Sequence, residues 1–283
     1  MKIQKALAGL SASLLVSAGI YGQTTDFSDL VRTGDPRSIQ AAIDHGANVN
    51  IQGKNGVTPL MEAAAKSRNP DVIIVLLRAG ANINARDVNG WTALMYAAAG
   101  NGSIPVIAAL LKGGADVKAR DRYLTTPLMI AAAYSQNPEV IPTLMHAGAD
   151  MEARDIDGMT PLMHAAKYNQ NSSIVAALLK AGANVNDKAA GDWTALMYAA
   201  GRNQSPAVIL ALVKAGAALE ARDSDGSTAL MIAAGLTQNP EVVAALLHAG
   251  ADAKAKDSRG DAAFDYAQRN PSLSAADVYQ ELR

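Results

Sequence analysis

Apolar and polar positions along this chain repeat as a block. A tract of Thr-(Pro/Ala)-Leu-Met, then one residue, then Ala-Ala, begins at Thr58, Thr92, Thr126, Thr160, Thr194 and Thr228, each 34 residues after the last. Within one block, Asp87-Val88-Asn89-Gly90 has turn composition, and Thr92 stands where a helix N-cap belongs. Leu94, Met95, Ala97 and Ala98 then follow at helical spacing. A break comes at Asn69, Ser103, Asn137, Asn171, Ser205 and Asn239, with Pro70, Pro138, Pro206 and Pro240 next in line, which predicts a second helix start. That helix carries apolar residues at helical spacing, as in Val72, Val75 and Leu76, and stops at Gly80 or its counterparts Gly114, Gly148, Gly182, Gly216 and Gly250. An alternating link such as Ala81-Asn82-Ile83-Asn84-Ala85 leads to the next turn as a hairpin-like arm.

Each predicted helix has about eight to ten residues, below the roughly 12 to 15 that an isolated helix needs in water. Such a unit cannot bury its apolar face alone, so stability has to come from stacking on neighbours. About eight stacked units at roughly 10 Å each would make a body about 80 Å long, against a radius of gyration of about 18 Å for a compact globule.

The ordered set Gly-Xaa-Thr-Pro-Leu, Ala-Ala, Leu-Leu and Ala-Gly-Ala-Asp/Asn-Val/Ile-Asn-Ala-Arg-Asp resembles the ankyrin repeat. The resemblance implies an all-α solenoid of stacked helix-turn-helix units with β-hairpin-like tips. It covers a degenerate unit over 24–52, six repeats over 53–86, 87–120, 121–154, 155–188, 189–222 and 223–256, and a capping unit over 257–283. Three departures stand out. The family's Thr-Pro-Leu-His histidine is replaced by Met61, Met95, Met129, Met163, Met197 and Met231, which predicts an apolar filler at a polar position. The period is one residue longer than usual, with Asn-Pro starts in the helix-helix link. Leu124 and Asp192 stand where the family places a turn glycine, which predicts distorted hairpins there.

Residues 1–22 differ from all of this. Lys2 and Lys5 precede an apolar stretch from Ala6 to Ile20 and then small residues, the layout of a secretory signal cleaved after Ala18 or Gly22. Fifteen helical residues span about 22 Å, short of the roughly 30 Å hydrocarbon core, so a signal fits better than a membrane span. Removal of this leader leaves 23 basic and 26 acidic side chains, a balance that argues against a nucleic-acid partner. The chain has no cysteine, which excludes disulfides, thiolate metal sites and a cysteine nucleophile. His45, His146 and His248 fall near second-helix C-termini, and His164 alone falls on a first helix, without metal-ligand spacing. No phosphate loop or nucleophile elbow occurs. No cofactor, no metal and no catalytic residue is expected.

Positions that vary between copies carry what function is legible. The family typically binds through its tips and the concave side of its first helices. Trp91 and Trp193 precede the capping threonine, as does Met159; Tyr134, Tyr168 and Arg202 follow the Ala pair; Tyr123 sits at a tip. These are residue types enriched in interface hot spots. Tyr96 and Tyr198, one position after Met, read instead as packing between repeats. The Arg-Asp pairs, such as Arg86-Asp87 and Arg154-Asp155, read as solvated charges whose aspartates serve the turns. The expectation is an exported, monomeric, non-enzymatic scaffold, periplasmic or extracellular and bacterial, that holds a protein partner on its concave face. A toxin-neutralising or enzyme-inhibiting protein is a narrower alternative, and an enzyme whose site assembles only in three dimensions is the alternative from another class.

Overall fold

The computed structural model describes residues 24–100, 102–273 and 276–283. The expected signal segment, residues 1–22, lies outside them. Among the described residues there are helices and turns but no strand. The chain divides between Arg122 and Tyr123 into two compact units.

The first unit holds three helix pairs: α1 (Thr24–Thr33) with α2 (Pro36–Asp44), α3 (Pro59–Lys66) with α4 (Pro70–Arg78), and α5 (Ala93–Ala99) with α6 (Ile104–Lys112). Odd-numbered helices pack on one another in sequence, and so do even-numbered ones. The second unit holds α7 (Pro127–Tyr134), α8 (Val140–His146), α9 (Pro161–Tyr168), α10 (Ser172–Lys180), α11 (Ala195–Arg202), α12 (Pro206–Lys214), α13 (Ala229–Leu236), α14 (Pro240–His248), α15 (Ala263–Ala267) and α16 (Val278–Glu281). The same two-row packing runs through it.

Each first helix starts because its threonine hydroxyl accepts the N–H of the methionine three residues on, at 3.3–3.5 Å in all six repeats. The methionine is more than filler. In four repeats its sulfur accepts the threonine N–H in return, with Thr58 N to Met61 Sδ at 3.4 Å and Thr160 N to Met163 Sδ at 3.4 Å, then Thr194 to Met197 and Thr228 to Met231 at 3.5 Å each. A capping box is therefore closed by a thioether, a weak acceptor, with the sulfur buried.

Leu94, Met95, Ala97 and Ala98 are at most 1% exposed, and the second helix of the preceding repeat buries Val72, Ile73 and Leu76. Burial of such a side chain contributes about 1.5–3 kcal/mol, and every repeat supplies several. Second helices begin where Asn69, Asn171 and Asn239 accept the N–H two residues on at 2.9–3.1 Å. α8 starts later than its proline predicts, at Val140, with Asn137 and Pro138 in the preceding turn.

A polar ladder pins the helix-helix links between repeats of the second unit. Asn169, 1% exposed, donates from Nδ2 to Ala132 O (3.0 Å) and Ser135 O (2.8 Å) of the repeat before, while its Oδ1 accepts from Asn171 N (3.0 Å). Asn203 repeats this with Ala166 O, Asn169 O and Ser205 N, and Asn270 with Ala234 O, Thr237 O and Ser272 N. No buried side-chain polar atom among the described residues lacks a hydrogen bond.

Of the two hairpins expected to be distorted, that at Leu124 keeps its turn, while that at Asp192 differs in carrying a second left-handed residue, Gly191 at φ 70°. Leu124 and Asp192 adopt φ of 62° and 60°, close to the 76° of Gly158 at the same repeat position. Side chains there cost roughly 1–2 kcal/mol relative to glycine.

Candidate interaction surface

At three tips the aspartate, Asp87, Asp155 or Asp257, binds in two directions. Asp87 Oδ1 accepts from Asn89 N and Trp91 N at 2.8 Å, and Asp155 Oδ1 from Asp157 N (2.9 Å) and Met159 N (2.8 Å). The second oxygen pins the tip to its own first helix nine residues on: Tyr96 Oη donates to Asp87 at 2.9 Å, and Tyr266 Oη to Asp257 at 2.7 Å. His164 Nε2 meets Asp155 at 2.8 Å in the same place, so the histidine of the first helix is a tip pin. Burial pushes the Asp155 carboxyl up, but the His164 bond and charge and the N–H groups of Met159 and Asp157 outweigh it and hold it below its usual range.

Arginines beside the tips link repeats chiefly through backbone carbonyls, and Arg154 also pairs with Asp187 of the next repeat at 3.2 Å. Arg154 Nη1 donates to Gly158 O (2.9 Å) and Lys188 O (2.7 Å), and Arg222 Nη1 to Gly226 O and Lys256 O at 2.6 Å. One backbone bond per step joins successive tips, as from Ile156 N to Tyr123 O (3.0 Å) and from Ser224 N to Gly191 O (2.9 Å). A cross-hairpin bond, such as Asp155 N to Met159 O at 3.2 Å or Asp87 N to Trp91 O at 3.0 Å, closes the arm.

On this frame the seven sequence-selected residues fall into different settings. Trp91 is half-buried, packs edge-on against Tyr96 at 5.3 Å, and donates from Nε1 to Asp121 Oδ2 at 3.1 Å. Trp193 is half-buried against Tyr198 at 5.1 Å. Met159 is 2% exposed and packs inside, so it offers no surface to a partner. Tyr123 projects from a tip, and Leu124 and Ile156 are exposed as well. Tyr134, Tyr168 and Arg202 end the first helices α7, α9 and α11 at equivalent positions, all exposed.

Of these, the structure brings Tyr134 and Tyr168 into direct contact. Their rings stack at 6.3 Å and 24°, with 50% and 46% of their surfaces still open to solvent. His164 lies 5.9 Å from Tyr168 behind the stack. Two further residues complete the strip. Lys167 Nζ sits 4.7 Å above the Tyr168 ring and 5.5 Å from the Tyr198 ring, reaching from α9 to α11. Burial, then Asp157, Asp155 and Tyr168, push the Tyr198 phenol up. Lys167 escapes a sequence reading because an isolated lysine beside a tyrosine has no periodic signature; its counterparts in the row are Ala65, Ala99, Ala133, Gly201 and Gly235. Leu236, 51% exposed, extends the row onto α13.

Among the described residues of the first unit, the same helix face has no aromatic row. A shallow groove of about 290 Å³ lies between α3 and α5, walled by Val57, Met61, Ala65, Tyr96 and Ala99. Among the described residues no group of three or more His, Asp or Glu side chains is placed to hold a metal ion, and no helix is long and apolar enough to cross a membrane.

The chain matches a family model for three consecutive ankyrin repeats at residues 28–121, 98–189, 128–223 and 162–257. Among solved structures it is similar to the human ASB11 ankyrin repeat domain, with 28% identity and a TM-score of 0.66 over 80% of this chain and 98% of that one. No curated protein matches it. The fold is one typical of binding scaffolds rather than of enzymes. Motif, repeat geometry and family match agree, and the chain belongs to the ankyrin-repeat family.

Proposed function

We propose that this protein is an exported, non-enzymatic scaffold that holds a protein partner against the first-helix face of its second unit, with Tyr134 and Tyr168 as anchors. The observation that carries this reading is the stacked, half-open tyrosine pair. Two large rings at equivalent repeat positions bury part of each other and leave the rest to water, whereas most aromatic surface elsewhere on the first helices is committed to packing. Preformed aromatic surface costs little conformational entropy on binding. Arg202 and Tyr123 belong to the same proposed surface; Trp91 and Trp193, already packed on tyrosines, contribute less. Export is supported by the charged, apolar and small-residue layout of residues 1–22.

The test is affinity capture of the tagged protein from its native compartment. Tyr134→Ala/Tyr168→Ala should lose the captured partner by at least tenfold, while Trp91→Ala should retain it. Equal recovery with the tyrosine variant would overturn the assignment of this face. Amino-terminal sequencing of the mature chain tests export, with Gln23 expected as the first residue.

A further inference from the structure

We infer that the strip from Tyr134 to Arg202 takes an acidic peptide segment, whose carboxylates pair with Lys167 and Arg202 while neighbouring apolar side chains cover the tyrosine stack. This inference rests on the partner-binding reading above and specifies the chemistry of the partner.

The argument starts from Lys167. Its ammonium is held between two tyrosine rings, with Met159 Sδ at 4.0 Å as its one close hydrogen-bond contact among the described residues. No carboxylate there pairs with it, although the side chain is only partly exposed. Within the same unit Arg154 pairs with Asp187, Lys188 with Asp192 and Arg259 with Asp257, whereas Lys180, Lys214, Lys254 and Lys256 have no ion pair among the described residues; Lys167 differs from these four in its two tyrosine contacts. An ammonium fixed over aromatic faces has lost side-chain freedom without satisfying its three donors, so an incoming anion meets a preorganised partner. Arg202 stands one helical turn after Tyr198, on the row that Lys167 reaches into, and its guanidinium has no partner among the described residues. Two cations without anions therefore flank exposed aromatic surface along one repeat row.

The mixed charge around Tyr198 narrows the fit. Lys167 Nζ lies 5.5 Å from its ring, and Asp155 and Asp157 of the neighbouring tip also act on it. A peptide with separated carboxylates can address Lys167 and Arg202 singly, whereas the continuous phosphates of a nucleic-acid backbone would also meet the aspartates.

The experiment pans a phage library of random twelve-residue peptides against the full mature chain. Enriched peptides should carry at least twice the library's content of Asp and Glu, next to Leu, Phe, Tyr or Trp. A synthetic copy of one such peptide, followed by fluorescence anisotropy, should bind Lys167→Gln/Arg202→Gln about tenfold more weakly than wild type at unchanged Tm. Lys167→Arg should restore most of the Lys167 share, and 0.5 M salt should weaken wild-type binding several-fold. The inference is overturned if nothing is enriched, if enriched peptides lack an acidic excess, or if the double variant binds them equally. It is also overturned if oligothymidylate binds this strip and loses affinity in the same variant. Natural-partner capture that depends on Tyr134 and Tyr168 alongside neutral selected peptides would remove only the acidic chemistry; capture that ignores the tyrosines would remove the binding face itself.

Discussion

Replacing Asn169 with alanine removes a node on which two successive repeats depend. Its carboxamide donates to Ala132 O at 3.0 Å and Ser135 O at 2.8 Å and accepts Asn171 N at 3.0 Å, with the residue 1% exposed. Each bond contributes about 1 kcal/mol net, so the loss is about 3 kcal/mol if water cannot enter to replace them. With a urea dependence of about 3 kcal/mol per molar, the midpoint should fall by about 1 M. Far-UV circular dichroism and the fluorescence of Trp193 in the next repeat should be followed together, because arrays can unfold stepwise. Asn203 donates to the backbone of Asn169 itself, so Asn169→Ala/Asn203→Ala should cost measurably less or more than the sum of the single variants. A midpoint shift below about 0.3 M for Asn169→Ala would refute the view that these carboxamides hold the repeats in register.

Other substitutions probe the turn, the cap and the charge. Leu124→Gly relieves a side chain at φ 62° and should raise stability by about 1 kcal/mol, or Tm by about 2–4 °C, on a calorimetric scan. Met163→Leu keeps volume but deletes the acceptor for Thr160 N–H, and should lower stability by about 1 kcal/mol in urea titration; a neutral result would make the thioether a filler after all. The Tyr266 hydrogen bond leads the groups that hold the Asp257 carboxyl at about 2. Its folded-state value lies below the unfolded one, so its contribution is fully present at neutral pH and fades as pH falls from about 4 through about 2. The Tm gap between wild type and Asp257→Asn should therefore be constant above about pH 5 and close toward pH 2.

Local features were legible wherever one residue type has one backbone role. Thr92 and its counterparts cap helices, Asn69 caps the next one, and the glycines end it, all readable from spacing alone. The links that depend on stacking were not. Asn169 looks like a loop asparagine until the repeat 34 residues earlier places two carbonyls against its amide. His164 has no ligand-spaced carboxylate along its helix, because Asp155 reaches it by the fold-back of the turn. Met159 shares the variable position of the two tryptophans yet is buried, and Lys167 gains its setting from a tyrosine on the following repeat. Candidate residues chosen by type alone thus divide, once folded, into packing groups and a smaller exposed row.

The central claim is that a partner sits on that row. A photo-reactive benzoylphenylalanine placed at position 168 should, on illumination in the native compartment, form one dominant protein adduct. The same group at position 210, where Leu210 is 52% exposed on a second helix, should not form it. Equal labelling from both positions, or an adduct from position 210 alone, would contradict the account.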